Sequence, residues 1–584
     1  MTTGAAQPGA SSDLGAGATS GRSRWPRLRP APADWVLVAG LAVQLAPFLL
    51  LPVALTQDGP AHVDGAWVLL HHGDPGQAGS ALRQWYATDL RPVPNMLVTL
   101  LLAGLMTVLS PDVAEKVLLA TISVVLVAGL RVALGAVDPR ARWLAVAALP
   151  LVGSELFVFG FYNFCLGTGL FLLMLGWALA RRTGWTVRAT AGLGALLVLS
   201  WATHLLPWLL TALALGVLGA ARAVSAARAT GPPDGGADRW WHAARTHLLP
   251  PALALVPSGA LTVVFALTGR APAGHAAGAP SWVRVVRLLS QYRPLVVGSN
   301  AERPAAAVVA GCLVVLLVVA CRRRATGPVL EPGDRVRAVD RRVLGGLAGA
   351  SALAYLLSPD ELGADYGYLP DRLAWFPPLL VVLFAATHLP SRPAVRRTVA
   401  LLLVVAAAGG TAVRLPTQLR DSRTAQAVLS AAGQIPAGDT FVVLRYGRYR
   451  AAVASLGPAA HAPNPLQHLS SRLAVRAGAV DAGLYEAVTP YFQVRWRPGA
   501  DLRRLIDPDL DGAERVPPRV DLAGAGGALD YVVVVGLDGT DPDIRGSARL
   551  AQVRAALAAD YQLVSRSRPG HDVALWRLRA RGPG

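Results

Sequence analysis

From Trp35 to Leu55 about twenty residues pass without an ionised side chain, enough for roughly 30 Å of bilayer hydrocarbon at about 1.5 Å per residue. Apolar runs recur near 94–110, 113–133, 143–158, 163–180, 187–202, 205–222, 247–268, 304–321, 342–357, 373–389 and 398–413. This pattern predicts an α-helical polytopic membrane protein with about eleven to thirteen transmembrane helices over residues 35–413. From residue 414 the continuous runs give way to short strands such as Phe441–Leu444, Tyr531–Val535 and Val573–Trp576, separated by Gly, Pro and Asp turns, with a helix around 547–559. That predicts a soluble α/β domain over 414–584, large enough for its own core. Residues 1–34 are rich in Gly, Ala, Ser and Pro and carry Arg22, Arg24, Arg27 and Arg29 before the first run. They read as a disordered cytoplasmic tail, because the apolar stretch that follows is too long for a signal core.

Composition agrees with the pattern. Mean hydropathy is +0.42, and charged residues make up 16 %, against about 25 % in soluble domains. The formal net charge of +19 does not indicate nucleic-acid binding, since the arginines cluster between apolar runs, where the positive-inside rule accounts for them. Cys165, Cys312 and Cys321 lie in or beside apolar runs and form no CxxC pair, so neither a disulfide framework nor a thiolate metal site is encoded. A chain rich in Ala and Arg with Lys116 as its one lysine points to a bacterial plasma-membrane protein.

Basic loops at Arg181-Arg182, 221–246, Arg322 to Arg342 and Arg392–Arg397 are expected on the cytoplasmic side. The loops at 269–303 and 358–371, and everything after 414, then fall outside. Counting forward from a cytoplasmic N-terminus, twelve simple spans would return the C-terminus to the inside, so one crossing is in excess. The expectation is a re-entrant or interfacial helix, or two runs merged into one span, between 94 and 180, near Ser110-Pro111-Asp112 or Asp138-Pro139-Arg140.

The chemistry-bearing string is Leu55-Thr56-Gln57-Asp58-Gly59-Pro60-Ala61-His62-Val63-Asp64, which opens an outer loop over 56–93. A carboxylate at the water edge of the first span, partly shielded by neighbours, suits a general base. Asp before Gly-Pro equally suits a helix N-cap. His62 stands one turn from Asp58 and is a second catalytic candidate, while water exposure is the alternative for His62 and the favoured reading for Asp64. His71-His72 with Asp74 reads as a solvated helix end, because adjacent histidines point to different faces. His204, in an apolar stretch between Trp201 and Trp208, is either functional or part of an interfacial belt. Glu155 is a candidate second acid. In the 269–303 loop, Trp282, Tyr292 and Arg293 read as interfacial anchors or as contacts to lipid or acceptor.

These residues resemble the C-type superfamily of integral-membrane glycosyltransferases, which includes protein O-mannosyltransferases and aminoarabinose transferases. The resemblance rests on Asp58, Gly59, His62, Ala66, Leu69-Leu70 and Gly73-Asp74 in the first outer loop. Arg91-Pro92-Val93-Pro94-Asn95-Met96-Leu97 carries it further, as do Pro150 followed by Asn163 and the segment Tyr368-Leu369-Pro370-Asp371-Arg372. Two departures stand out: Gly59 replaces the second acid of the family's pair, and Asn163 replaces a later acid. The resemblance implies transfer of a sugar from a polyprenyl-phosphate donor, with membrane lipid around the site, to an acceptor on the outer face that is a glycan, lipid or protein.

Such a donor is already activated, because its phosphate leaves readily. The enzyme must orient donor and acceptor, remove the acceptor's proton and stabilise the departing phosphate. Asp58 fits the base. Arg372 fits the phosphate clamp, since a guanidinium binds two phosphate oxygens and keeps its charge; Arg91 and Arg293 are further candidates. Asp64, Glu155, Asn163, His204 and Asp371 are expected around the substrate. No motif supports a bound cofactor, and a divalent cation stays open. A transporter or lipid flippase would need mid-span charges or inverted repeats, which are scarce here. A non-catalytic scaffold would leave Asp58 and Arg372 far apart.

Overall fold

The computed structural model describes residues 32–229, 236–268, 276–277, 292, 294–322, 332–359, 361–362, 367–446, 463–489, 491–505, 520–522, 524–525, 527–536, 548–567 and 573–579. The first apolar run forms helix α1 (Pro32–Leu50). The loop after α1 holds α2 (Gly59–His71), α3 (Gln77–Trp85) and strand β1 (Tyr86–Thr88), followed by α4 (Met96–Met106) and α5 (Pro111–Val137). A 3₁₀ helix over Pro139–Leu151 leads to the short α6 (Glu155–Phe159). Then come α7 (Tyr162–Ala180), α8 (Val187–Thr203), α9 (Leu205–Ala229), α10 (Gly236–His247) and α11 (Leu249–Leu267). Strand β2 (Ala276–Ala277) pairs with β3 (Glu361–Leu362), and between them lie α12 (Arg303–Arg322) and α13 (Pro332–Leu357). The helical part ends with α14 (Leu369–Leu373), α15 (Phe376–Ala386) and α16 (Pro393–Leu429).

Seven helical stretches among the described residues are long and apolar enough to cross a membrane, and α1, α4 and α8 are shorter apolar helices. Leucines and valines such as Leu253, Val256, Val263 and Val264 on α11 and Leu401 and Val405 on α16 face outward. An apolar exterior around a packed interior identifies a multi-pass membrane protein.

Named contacts define two ends of the bundle. At one end Lys116, at the start of α5, bonds Leu51 O, and Tyr162, at the start of α7, bonds Glu115. At the other end Arg131 pairs with Asp34, Arg222 bonds Ala178 O, and Arg341 bonds both Ala320 O and His388. α1, α5, the 3₁₀ helix, α7, α8, α9, α11, α12, α13, α14 with α15, and α16 run between these ends. α4 does not. Its first turn is bonded to Asn163 at the start of α7, and Asp112, just after it, is bonded to Arg472 at the same end. Its 11 residues cover about 16 Å, half a bilayer. The excess crossing is therefore α4, and the eleven traverses among the described residues leave Pro32 and Leu429 at opposite ends.

Most of the run 143–158 is a 3₁₀ helix, with α-helix only from Glu155. Asp138 caps its start by accepting from Arg140 N, and Pro150 and Gly153 (φ +82°) break its end. At about 2.0 Å per residue, its 13 3₁₀ residues still cover roughly 26 Å.

α16 is one continuous helix across residues 413 and 414. After it, β4 (Thr440–Arg445), α17 (Leu469–Ala477), β5 (Val480–Asp481), β6 (Val494–Trp496), β7 (Tyr531–Val535), α18 (Ala548–Asp560), β8 (Tyr561–Arg566) and β9 (Val573–Leu578) build the C-terminal α/β domain. Its sheet is ordered β5-β4-β7-β9-β8, with β4 parallel to β5 and β7, and β9 antiparallel to β7 and β8. Val532, Val533 and Val534 are fully buried, as a central strand covered on both faces requires. The domain is joined to the loop between α1 and α4 by a shared sheet, in which Tyr86 of β1 pairs with Trp496 of β6 and Thr88 with Val494. α17 packs along α2.

Candidate active site

Asp58 ends the turn that leads from α1 into α2. The backbone amides of Gln57 and Asp58 donate to Val158 O and Phe159 O at 2.9 Å each, so the turn lies against α6. Gly160 (φ +82°) makes this approach feasible, since a Cβ there would meet the amides of Asp58 and Gly59 at 2.9 and 2.8 Å. Asp58 occupies the N-cap position of α2, yet its side chain makes no capping bond. The carboxylate instead accepts from Gln57 Nε2 at 3.2 Å and faces His468 Nε2 at 3.6 Å. Gln57 is itself held by the amide of Asn464, which donates to its Oε1 at 2.8 Å. Asn464 and His468 belong to the C-terminal domain, so that domain closes the site.

His62 and Asp64 do not face water: they are 5 % and 1 % exposed. The cause is α17 and the Tyr485–Val488 turn, which cover α2. His62 Nε2 lies 3.1 Å from Gly160 O, and its Nδ1 meets the Glu486 carboxylate. A carbonyl only accepts, so Nε2 carries a proton, and the contact at Nδ1 needs another. Burial alone would depress the imidazole, but Glu486 outweighs it and His62 is raised from its ordinary value. With both nitrogens engaged, His62 has no basic lone pair for a substrate. Burial, reinforced by Asp481 and Glu486, pushes Asp64 well above the usual carboxylate range, and Asp481 is raised mainly by burial.

Arg372 is on α14 at the same end. Its Nη1 donates to Gly367 O at 2.7 Å, its guanidinium lies 4.6 Å over the Phe161 ring, and its Nε is buried without a partner among the described residues. Asp58, Asp371, Tyr368 and Tyr491 are within electrostatic reach of it. Tyr368 holds a left-handed backbone (φ +57°) and packs its ring 5.1 Å from Phe159 and 5.7 Å from Phe161. Glu155 is buried at the start of α6 with its amide on Pro294 O, and acts electrostatically on Tyr368. His204 is buried rather than part of a wet belt. Its Nδ1 accepts from Leu206 N at 3.1 Å, starting α9, and its ring meets Phe164 edge-on.

Other candidates lie elsewhere. Both ends of the Asn163 amide are occupied by α4, with Oδ1 accepting from Val98 N and Nδ2 donating to Asn95 O. Asn163 therefore anchors α4 and does not face a substrate. Arg91 stands exposed, forked onto Asp89. Arg293 and Trp282 lie outside the described residues. His71 bonds Trp67 O and His72 bonds Tyr86 O. Among the described residues no group of three His, Cys, Asp or Glu side chains is placed to hold a metal ion.

Sequence reasoning missed Gln57, Glu115, Tyr162, Asn464, His468, Arg472 and Glu486. Glu115 carried a signal, three residues after Asp112 at the head of an apolar run, where an acid is costly in lipid. The residues beyond 460 had none, since their partners lie some 400 positions away in the chain.

The sequence matches no family model and no curated protein. The structure is similar to that of ArnT from Cupriavidus metallidurans bound to undecaprenyl phosphate, with a TM-score of 0.51, 13 % identity, and 95 % of this chain and 100 % of that one covered. The apo form of that protein gives a TM-score of 0.41 at 14 % identity, over 94 % of this chain and 98 % of that one. An oligosaccharyltransferase from Archaeoglobus fulgidus, in complex with Zn and sulfate, gives 0.41 at 11 % identity, over 92 % and 72 %. The chain thus has the fold of ArnT.

Proposed function

We propose that this protein is a membrane glycosyltransferase that moves a sugar from a polyprenyl-phosphate donor to a hydroxyl or amino group of an acceptor on the extracytoplasmic face. The observation that carries the reading is the convergence of Asp58 and Arg372 at one end of the bundle, within electrostatic reach of each other, beneath the C-terminal domain. The fold adds support, being shared with a protein crystallised with undecaprenyl phosphate. In this reading Asp58 accepts the acceptor's proton as the nucleophile attacks the anomeric carbon. The bond from that carbon to the phosphate oxygen breaks, and polyprenyl phosphate leaves with the electron pair. Arg372, whose Nε has no partner among the described residues, holds the phosphate and the charge that develops on it. Phe159, Phe161 and Tyr368 offer an apolar wall for the first isoprene units. His62, locked by Gly160 and Glu486, positions the turn and does not take the proton.

The arginine-rich loops favour a cytoplasmic location for the opposite end. With an odd number of traverses, the start of α1 then lies on the cytoplasmic side and the domain following α16 on the extracytoplasmic side, at the plasma membrane.

The test is transfer of labelled sugar by the purified full-length protein in lipid nanodiscs, given mannosyl, glucosyl, galactosyl and arabinosyl polyprenyl phosphates with a membrane extract as acceptor. Label leaving one donor with the wild type, and not with Arg372→Ala, supports the reading. No transfer from any donor contradicts it.

A further inference from the structure

A second buried polar system lies directly behind the Asp58 turn. Arg472, on α17 of the C-terminal domain, is 1 % exposed and reaches into the bundle, where its guanidinium pairs with Asp112 and Glu115 on α5. Glu115 is fully buried and also accepts from the Tyr162 hydroxyl at 2.7 Å. Tyr162 in turn lies 2.6 Å from the Thr56 hydroxyl. Tyr162 has one hydroxyl proton, and it goes to the Glu115 carboxylate, so the Thr56 hydroxyl must donate to Tyr162. The result is a chain with one direction: Thr56 to Tyr162 to Glu115, ended by the cation of Arg472.

Gly59 shows how closely this chain fits the turn. A Cβ at Gly59 would land on Glu115 Oε1, the Tyr162 hydroxyl and the Thr56 hydroxyl together. The carboxylate of Glu115 therefore fills the space where a side chain at 59 would stand, and residues 56 and 59 bracket Asp58 on the chain's surface. A buried carboxylate without Arg472 would turn or take up a proton, and Tyr162 would lose its acceptor.

The geometry points to Arg472, Glu115 and Tyr162 as positioning residues for the sugar transfer, through which the C-terminal domain sets the position of the Asp58 carboxylate. This rests on the glycosyltransferase reading, and goes beyond it by making the domain a part of the catalytic apparatus without touching the substrate.

Tyr162→Phe and Thr56→Val each break the chain at one hydroxyl and keep the packing, so both are expected to fold. In nanodiscs, each should lower kcat tenfold or more with the donor KM within twofold. The double variant should be no slower than either single, because one chain is broken in each case. Amide exchange of peptides covering 53–60 should accelerate at least tenfold, since the Gln57 and Asp58 amides report the turn. Arg472→Met is expected to reduce yield by stranding Glu115. Adding Glu115→Leu should restore yield and leave kcat low.

Unchanged kcat in Tyr162→Phe overturns the proposal, even with faster exchange, as do multiplying losses in the double variant or full kcat in Arg472→Met/Glu115→Leu. If the wild type transfers no sugar, the glycosyltransferase reading fails by itself, and the exchange ratio decides whether the chain holds the turn.

Discussion

Two buried ionic clusters sit at opposite ends of the same bundle, and they are built differently. At the end away from Asp58, Arg222 is 5 % exposed and Asp340 3 %. Every nitrogen of Arg222 is bonded: Nε to Asp340 Oδ1, Nη1 to Ala178 O and Arg181 O, and Nη2 to Leu179 O. The other oxygen of Asp340 accepts from Arg182. The cluster caps the carbonyl end of α7 and ties it to α9 and α13, and a saturated cluster of this kind has nothing left to offer a ligand. The Asp58 end is more open: among the described residues Arg472, paired through its two Nη atoms with Asp112 and Glu115, and Arg372, lying over the Phe161 ring, each keep a buried Nε without a partner. Burial and charge are common to both ends, so neither marks function. What differs between the two clusters is that the Asp58 end keeps donors without a partner among the described residues, and on the proposed function Arg372 Nε is the one left for a phosphate.

The sharpest way to break this contrast is to neutralise one acid from each end. Asp58→Asn should lower sugar transfer by about 10²–10⁴-fold, the usual worth of a general base, with yield and unfolding midpoint unchanged. Asp340→Asn should do the reverse. Leaving Arg222 with an uncompensated buried charge costs about 3–5 kcal/mol, read as a lower midpoint and yield, with transfer per folded molecule unchanged. Arg372→Lys keeps the charge and loses the fork, and should reduce kcat/KM for the donor by about 10²-fold, near the value of one preorganised donor in a dry site.

The smallest effect concerns pH. His62 is raised from its ordinary value by Glu486 against burial. Its ion pair therefore stabilises the domain contact fully below about pH 6.5, the ordinary imidazole value, and fades as pH rises through the raised value. The unfolding midpoint should fall as pH rises above about 6.5. Asp64 and Asp481, also raised, act in the same direction, their share of the fall beginning above about pH 3.9, the ordinary Asp value. His62→Gln should flatten part of that slope, and an unchanged slope would remove His62 from the interface's pH response.

The membrane helices were legible because lipid demands long apolar runs, and each such run has a segment in the fold. Which of them cross was not. α4 is apolar on every side, so composition cannot separate a helix lying at the surface from one that spans. Its status is decided by Asn163, 65 positions away from Val98. The 3₁₀ geometry of Pro139–Leu151 likewise depends on packing against α5 and α16, not on a periodicity. Asp58 and Arg372 stood out as candidates because charge at the edge of an apolar run is costly. His468, Arg472 and Glu486 were not, because they belong to an ordinary soluble sequence and gain their meaning only where α17 meets α2. Exposure was misjudged for Asp64 for the same reason: a polar side chain in a loop reads as wet until another domain covers it.

The central claim is that catalysis resides at the Asp58 end and structural burial of charge at the other. It is tested most directly by measuring sugar transfer from the polyprenyl-phosphate donor, per folded molecule, in Asp58→Asn and Asp340→Asn side by side. Transfer lost in the first and retained in the second is the result this account predicts. Transfer retained in Asp58→Asn, or lost equally in both, would contradict it.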